Sequence, residues 1–281
     1  MISPADYQFI SDVLLRNSGL NLGPGKEYLL ESRLMPVATV LGLHGLDGLV
    51  QRLRTHGDAS TIRSVCEAMT TNESLFFRDS TPFRMIQETL LAELMEKRRA
   101  TRRLRIWCSA ASTGQEPYSV AMILRERAPL LQGWSVEILA TDYSRPAIDR
   151  ARAGRYNHFE VQRGLPIQML TRYFRRTGED WQVVDEIRSA VCFRELNLIE
   201  PFGHLGQFDL ILCRNVLIYF DMATKAQVLE CIAQAMAPDG YLFLGGSETA
   251  MGITSRLERV ANAPTSLYRL SPTRAALGLA S

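Results

Sequence analysis

The feature that most constrains the fold is a change in hydrophobic pattern near Thr70. Before it, apolar residues recur only at helical spacing; after it, short apolar runs alternate with helical stretches. Strands that alternate with helices are typical of βαβ units and a largely parallel, doubly wound sheet. The sequence therefore predicts an α/β domain preceded by an all-helical N-terminal domain. The predicted strands are Leu104–Cys108, Val136–Ala140, Val191–Phe193, Phe208–Cys213, Tyr241–Leu244 and Ser266–Leu270.

Several helix boundaries can be predicted from local chemistry. Ser3 can cap free N–H groups, and the proline that follows it already has the φ angle of a first helical residue. A second helix is predicted over 26–40, and Pro36 should kink or end it. Thr81-Pro82 opens an amphipathic helix, and a later helix over 221–237 should be closed by Pro238-Asp239-Gly240.

One stretch interrupts the alternation of strands and helices. About fifty residues separate the second and third predicted strands, more than a crossover connection needs. Within it, Tyr173-Phe174-Arg175-Arg176 and Trp181-Gln182-Val183-Val184 flank a turn at Thr177–Asp180. This pattern predicts an inserted β-hairpin.

Charge and composition exclude several classes of protein. The 32 Lys and Arg residues nearly balance 30 Asp and Glu residues, so the net charge of +2 gives no global attraction to nucleic acid or an acidic membrane. The five cysteines form no Cys-x-x-Cys pair and the four histidines do not cluster with them, so we expect no metal site. The first residues lack the basic and apolar regions of a signal peptide, so none is expected. No apolar run in the sequence is long enough to predict a membrane-spanning helix. These features predict a cytoplasmic protein with reduced cysteines.

A loop of small and polar residues follows the first predicted strand. It reads Ser-Ala-Ala-Ser-Thr-Gly-Gln-Glu-Pro over 109–117 and lies where doubly wound folds bind a nucleotide. The loop contains neither Gly-x-Gly-x-x-Gly nor Gly-Lys-Ser/Thr, which disfavours an NAD dehydrogenase and a P-loop enzyme. Glu116 suits the cationic ammonium end of a ligand better than a phosphate. The alternative is an ordinary strand–helix turn.

Polar residues also follow the second and fourth predicted strands. Asp142 can accept hydrogen bonds from both hydroxyls of a ribose, or it could cap the helix that starts near Ser144. Arg214 and Asn215 follow a buried strand, where a charge requires a partner or ligand. This segment lacks the Asn/Asp-Pro-Pro-Tyr motif with which enzymes that methylate amino groups hold a nucleobase. Its absence disfavours a nucleic-acid base as the substrate. Composition alone makes 70–79 a linker or a capped turn.

Together these segments resemble the chemotaxis receptor methyltransferase family, the CheR proteins. The similarity covers about residues 3–270, and its specificity lies in the order of the motifs rather than in any one of them. The matching motifs are Thr-Asn-x-Ser-x-Phe-Phe-Arg at 71–78, Ala-Ala-Ser-Thr-Gly-Gln-Glu-Pro-Tyr-Ser at 110–119, Ala-Thr-Asp at 140–142, Asn-Leu at 197–198, Cys-Arg-Asn-Val-Leu-Ile-Tyr-Phe at 213–220, Pro-Asp-Gly at 238–240 and Gly-Gly-Ser-Glu at 245–248.

The resemblance implies both an architecture and a reaction. The implied architecture is a helical domain at 1–70, a Rossmann-like class I methyltransferase domain at 71–270 with an inserted antiparallel β-subdomain at about 155–190, and a loose tail at 271–281. The implied reaction moves a methyl group from S-adenosyl-L-methionine (SAM) to glutamate side chains on the cytoplasmic helical bundle of chemoreceptors, leaving S-adenosyl-L-homocysteine (SAH).

The resemblance also implies site residues. Arg78 and Tyr219 would face the transferring methyl group and the substrate carboxylate. The implied cofactor contacts are Asn72, Ser74, Arg78, Glu116, Asp142, Asn197, Leu198, Arg214 and Asn215. No nucleic acid, metal ion or membrane insertion is expected.

Two features depart from the family pattern. Relatives that dock on a receptor's C-terminal peptide have a longer glycine-rich hairpin loop, so the short turn here predicts no strong binding to such a tether. The second helix keeps Lys26 and Arg33, but Met35-Pro36-Val37 stands where more basic residues are expected.

Two other functions remain as alternatives. Another class I methyltransferase, acting on a small molecule or a different protein, would keep the cofactor contacts without needing the helical domain. A non-enzymatic scaffold is the second alternative, and the presence of Arg78 together with Tyr219 argues against it.

Overall fold

The computed structural model describes residues 2–272, so the predicted loose tail lies outside the described residues from residue 273 onward. The chain divides into two units: one comprises the residues up to Thr71 together with Tyr219–Lys225, and the other comprises Asn72–Ile218 and the residues from Ala226. The helices of the first unit are α1 (Pro4–Ser18), α2 (Glu27–Val40), α3 (Gly45–His56) and α4 (Ala59–Met69).

The predicted start of α1 is confirmed. The helix predicted over 26–40 is present as α2, and of the two effects expected of Pro36, a kink or an end, the end does not occur. The Ser3 side chain accepts a hydrogen bond from the Asp6 N–H, and Pro4 is the first helical residue. Helix α2 continues four residues beyond Pro36. Leu34 and Ala38 on either side of the proline are fully buried, and we attribute the helix's tolerance of the lost hydrogen bond to this packing.

The second unit contains a seven-stranded sheet and a three-stranded sheet. Its strands are β1 (Arg103–Cys108), β2 (Ser135–Asp142), β3 (Arg155–Tyr156), β4 (Phe174–Thr177), β5 (Asp180–Val183), β6 (Val191–Glu195), β7 (Phe208–Cys213), β8 (Met236–Leu244), β9 (Leu257–Arg259) and β10 (Leu267–Leu270). The remaining helices are α5 (Thr81–Met85), a π-helical turn (Ile86–Leu90), α6 (Leu91–Lys97), α7 (Gln115–Glu126), α8 (Arg145–Ala153), α9 (His158–Gln162), α10 (Ile167–Tyr173), α11 (Asp185–Arg188) and α12 (Met222–Ala235).

The large sheet confirms the predicted doubly wound α/β fold. Its strand order is β6-β2-β1-β7-β8-β10-β9, in which the first five strands are parallel and β10 is antiparallel to both of its neighbours. The chain moves outward from β1 through β2 to β6 and then returns to β7 on the other side of β1. The carboxyl ends of β1 and β7 therefore form the topological switch point, where open α/β sheets bind ligands.

The predicted hairpin is present and belongs to a larger insertion. Strands β4 and β5 pair antiparallel, with Thr177 opposite Asp180, and β3 pairs with the other edge of β5. The aromatic core of this small sheet includes Tyr156 and Phe174, which are 0% and 2% exposed. The ring of Phe76, from the segment before α5, packs edge-on against both of these rings. The insertion therefore shares its core with the residues that precede the large sheet.

An ion-pair network ties together the amino-terminal edge of the large sheet. Arg98 Nε lies 2.6 Å from Asp209 Oδ1, and Arg98 Nη1 lies 3.0 Å from Asp239 Oδ2. Asp209 also accepts the Arg105 N–H at 2.7 Å, and the Arg105 guanidinium pairs with Glu137. Arg98, which directly follows α6, therefore binds two acids of the same unit.

The predicted role of Pro238-Asp239-Gly240 as the close of a helix is wrong. Helix α12 ends at Ala235, and the three residues lie within β8, at an irregularity in its pairing with β7 between Phe208 and Leu210. Strand β8 thus begins at Met236, before these three residues, and not at Tyr241 as predicted. Within residues 2–272 no single helix has the length and apolarity to cross a bilayer; only α2 taken with α3, bent by 73°, passes as a pair.

Candidate functional site

The loop after β1 begins the candidate site and depends on two unusual backbone conformations. Ser112 has φ 50° and Gly114 has φ 97°, both in the left-handed region. A Cβ atom at Gly114 would lie 3.0 Å from both the Ala151 Cβ and the Tyr156 hydroxyl. Only glycine suits both the conformation and the space, which lets α7 begin directly beneath the carboxyl ends of the strands.

Asp142 ends β2 and joins this loop to the start of α8. Its carboxylate accepts the Ser112 N–H at 2.8 Å and the Ser144 N–H at 2.9 Å. The helix cap is Ser144, whose side chain accepts the Ala147 N–H, so Asp142 itself is not the N-cap. Burial raises the pKa of Asp142, while its backbone hydrogen bonds oppose the shift. Each carboxylate oxygen has a second lone pair that can accept a ligand hydroxyl.

Arg214 and Glu116 form a buried ion pair at the switch point. Arg214 Nη1 lies 2.7 Å from Glu116 Oε2, and the two side chains are 1% and 10% exposed. Arg214 Nη2 also donates to Asp79 Oδ2 and to the Arg78 carbonyl, both at 2.8 Å. Burial raises the pKa of the Glu116 carboxyl, and the Arg214 charge opposes that shift. Glu116 Oε1 accepts no hydrogen bond from the described residues, so this oxygen is available to a cationic group.

The segment 72–79 is held against the site by its backbone. The Asn72 carbonyl accepts the Ser112 hydroxyl at 2.8 Å, and the Phe77 N–H donates to the Ser119 hydroxyl at 3.0 Å. Phe77 and Asp79 both have positive φ, at 50° and 61°. The segment is therefore an ordered, strained turn and not a linker.

Two polar side chains of this turn have no hydrogen-bond partner within the described residues. The Ser74 hydroxyl and the Arg78 guanidinium are both half-buried, and neither forms a side-chain hydrogen bond or ion pair within residues 2–272. Phe76, in the same turn, is buried and packs against Tyr156 and Phe174. The half-buried Arg78 guanidinium keeps N–H donors for a ligand, and its charge acts to lower the pKa of the nearby Glu116 carboxyl. Both features favour a role in binding at this edge of the sheet.

The loop after β7 is organised by an acid that the sequence analysis did not single out as a site residue. Asn215 has φ 59°, and its N–H donates to the buried Glu248 carboxylate at 2.8 Å. Ser112, Ser144 and Asp79 were likewise not assigned to the site. A useful signal for Glu248 was present: an acid shortly after the carboxyl end of a buried strand, preceded by two glycines.

The structure brings most of the predicted residues to one edge of the sheet. Asn197 and Leu198 follow β6, where the Leu196 N–H donates to the Asp142 carbonyl at 3.0 Å. Leu198 is buried, and Asn197 Oδ1 accepts the Ile199 N–H. Tyr219 ends a 3-10 turn and is grouped with the helical unit, where its carbonyl accepts the Asn21 N–H.

The chemistry of this edge suits a ligand with a ribose and a cationic end. Asp142 and Glu116 provide carboxylate acceptors, whereas the loop after β1 has no phosphate-binding glycine pattern. Cys108 and Cys213 are fully buried strand residues, and burial raises the pKa of the Cys108 thiol, so neither is suited to act as a general base.

Comparison with known proteins agrees with this chemistry. Residues 5–70 match the all-alpha domain of the CheR methyltransferases, and residues 72–265 match their SAM binding domain. The chain is 40% identical to chemotaxis protein methyltransferase 1 of Pseudomonas aeruginosa, over 94% of this chain and 97% of that protein. It is also 40% identical to chemotaxis protein methyltransferase 1 of Vibrio cholerae, over 96% and 98%. The chain therefore belongs to the CheR methyltransferase family, with an all-helical domain followed by a SAM-binding domain.

Proposed function

We propose that this protein is a cytoplasmic protein-glutamate O-methyltransferase that modifies the helical bundle of chemoreceptors. SAM would be the methyl donor, and glutamate methyl esters for chemosensory adaptation would be the product. We also propose the division into 1–70, 71–270 and 271–281, with the insertion at about 155–190. Family membership and the chemotaxis methyltransferases that the chain resembles support this proposal.

One structural observation carries the substrate class. The half-buried Arg78 guanidinium has no hydrogen-bond acceptor in the part of the chain that the structure describes, and it lies in the same turn as Asp79, which Arg214 binds. A guanidinium presents a planar set of donors that matches a carboxylate. We infer that Arg78 binds and orients the substrate glutamate, and that Tyr219 donates one hydrogen bond to it.

The reaction needs positioning more than proton transfer. A glutamate side chain has an ordinary pKa of about 4.3, so it is already a carboxylate nucleophile at neutral pH. Bound SAM supplies a methyl group on a positively charged sulfur: the new O–C bond forms as the C–S bond breaks, and its electron pair stays on the sulfur of SAH. The protein's task is to exclude water and align the carboxylate, which can contribute about 7–11 kcal/mol.

The proposed cofactor contacts surround this geometry. Asp142 would accept the ribose hydroxyls, and Glu116 Oε1 would accept the ammonium group. The other proposed contacts are Asn72, Ser74, Arg78, Asn197, Leu198, Arg214 and Asn215. Because Arg214 contacts only Oε2 of Glu116, the lone pairs of Oε1 stay free to accept an N–H of the ammonium group.

The test is methyl transfer from labelled SAM to a purified chemoreceptor cytoplasmic fragment. We expect Arg78→Ala to lower turnover about 100-fold, as misalignment of a reacting group does. Arg84→Ala is the matched control, because Arg84 is an exposed arginine on α5 whose loss removes the same charge. Near-normal turnover by Arg78→Ala, with methylation by the wild type, would show that Arg78 does not orient the substrate.

We further propose that no strong receptor tether binds this chain. The β4–β5 connection contains only Gly178 and Glu179, and Gly178 has φ 64°, as a two-residue hairpin turn requires. Calorimetric titration with a receptor C-terminal pentapeptide should give no measurable binding at micromolar peptide. A submicromolar dissociation constant would contradict this proposal.

A further inference from the structure

Glu248 is a buried carboxylate that is bound by backbone amides rather than by a cation. Its side chain accepts four N–H groups: Asn215 at 2.8 Å and Gly245 at 2.7 Å on Oε2, and Val216 at 2.9 Å and Ile218 at 3.3 Å on Oε1. The residue is 6% exposed, and no lysine or arginine within residues 2–272 forms an ion pair with it. Convergent N–H groups of this kind form an anion-binding nest, which here is filled by the protein itself.

The nest fixes the conformation of the loop after β7. Asn215 has φ 59°, a region that a residue other than glycine enters at a cost in free energy. The hydrogen bonds from Asn215 and Val216 to one carboxylate offset that cost, because both N–H groups would otherwise be left without an acceptor. Glu248 therefore sets the direction in which the Asn215 side chain leaves the backbone.

Gly245, directly after β8, lies close to Glu248 and to the loop after β7. A Cβ atom at Gly245 would lie 2.6 Å from Glu248 Oε2 and 2.9 Å from Asn215 Nδ2. A Cβ atom at the next residue, Gly246, would meet nothing within 4 Å. Only Gly245 of the two glycines lacks space for a side chain. A substitution at Gly246 is therefore the control for the same substitution at Gly245.

We propose that Glu248 is a positioning residue for cofactor binding, acting through Asn215. The inference rests on the proposed role of Asn215 as a cofactor contact. Glu248 need not touch SAM: it holds the loop in the one conformation that presents Asn215 to the ligand. A glutamine at this position would turn one acceptor oxygen into a donor that faces other donors, so the isosteric change tests the acceptor and not the volume.

The experiment is a calorimetric titration of the full chain with SAH, for the wild type, Glu248→Gln, Asn215→Ala and the double variant. We expect Glu248→Gln to weaken binding by about tenfold or more, and the double variant to bind no more weakly than the worse single variant, since residues that act through each other are not additive. Asp209→Asn is the matched control: it also removes a buried acceptor of a backbone N–H, from Arg105 at the opposite edge of the sheet. It should lower the melting temperature and leave the affinity for SAH unchanged.

The glycine pair keeps the proposal testable if Glu248→Gln folds poorly. Gly245→Ala should weaken SAH binding, whereas Gly246→Ala should not. If Asn215→Ala weakens binding while Glu248→Gln and Gly245→Ala bind as the wild type does, the positioning role is overturned and the cofactor contact survives. If Asn215→Ala binds SAH normally, the proposed Asn215 contact fails, and positioning through Asn215 fails with it.

Discussion

The Arg214 guanidinium lies 2.7 Å from the Glu116 carboxylate, and neither side chain has more than a tenth of its surface exposed. Arg214 Nε has no hydrogen-bond partner within the described residues, so the pair is imperfectly satisfied in the protein alone. Breaking such a pair leaves one buried charge without compensation, which is much more costly than the pair itself is stabilising.

Arg214→Met should therefore be among the most destabilising substitutions at this edge of the sheet. We expect a loss of about 3–5 kcal/mol in the free energy of unfolding, because Glu116 is left buried and uncompensated. Urea denaturation at neutral pH measures it. The double variant Glu116→Gln with Arg214→Met should recover part of the loss; a double variant less stable than Arg214→Met would show that the pair is not the cause.

Cofactor binding should depend on pH through Asp142. Burial raises the pKa of Asp142, so the folded protein holds this proton more tightly than the unfolded chain does. The stability contributed by the proton is present below the unfolded-state pKa and is lost as the pH rises through the folded-state pKa. The ionised form is the better acceptor for ribose hydroxyls, so affinity for SAH should fall as the pH drops through the raised pKa.

Calorimetry of SAH binding across the acid range checks this expectation. The Asp142→Asn variant should bind weakly at every pH and lose this part of the pH dependence. Glu116 has its own raised pKa and should contribute a change in the same direction, which Glu116→Gln would remove. An affinity of the wild type that is flat with pH would contradict both assignments.

The amino-terminal edge should control stability without controlling binding. Arg98→Ala removes charged hydrogen bonds to Asp209 and Asp239 and should cost about 2 kcal/mol in unfolding free energy. Hydrogen bonds from Arg98 hold the pKa of Asp239 below its usual range. This contribution is present above the unfolded-state pKa and lost as the pH falls through the folded-state pKa, so the variant should be less stable than the wild type at neutral pH and similar to it in strong acid. Affinity for SAH should not change.

Gly114→Ala should damage the fold more than its backbone conformation alone requires. An alanine with φ 97° would also press on the Ala151 Cβ and the Tyr156 hydroxyl, and overpacking of this kind costs about 1–3 kcal/mol. Gly178→Ala is the matched control, since Gly178 has φ 64° but open space around its Cβ position. Thermal unfolding of the two variants separates the cost of overpacking from the cost of backbone strain. Equal decreases in melting temperature would mean that packing around Gly114 contributes nothing.

The sequence predicted the parts of this fold that follow from local pattern. Buried strands such as β7 were visible as apolar runs, and Ser3-Pro4 marked a helix start because capping is a local interaction. The sequence left open whether Pro36 would kink or end α2, because the packing of Leu34 and Ala38 is tertiary. The two-residue strand β3 is too short to have a periodic pattern.

The candidate site likewise has residues that could be predicted from the sequence and residues that could not. Asp142 and Glu116 could be proposed because each directly follows or closely follows a predicted strand. The position of Glu248 after a predicted strand was a signal, but its role could not be predicted. Asn215 and Val216, two of its partners, lie about thirty residues away and bind through backbone N–H groups, which have no signature in the sequence. The contacts of Arg33, a basic residue that the second helix keeps, could not be predicted either: its guanidinium donates to the Met69 and Thr70 carbonyls at the end of α4.

The packing of Phe76 against Tyr156 and Phe174 couples the inner face of the insertion to the turn that carries Arg78. A substitution in either ring of the insertion is expected to displace Phe76, which lies two positions before Arg78. At the outer turn, a Cβ atom added at Gly178 would meet nothing within 4 Å. We therefore expect the outer turn to accept a change of side chain without moving Arg78, whereas the three rings do not offer that freedom.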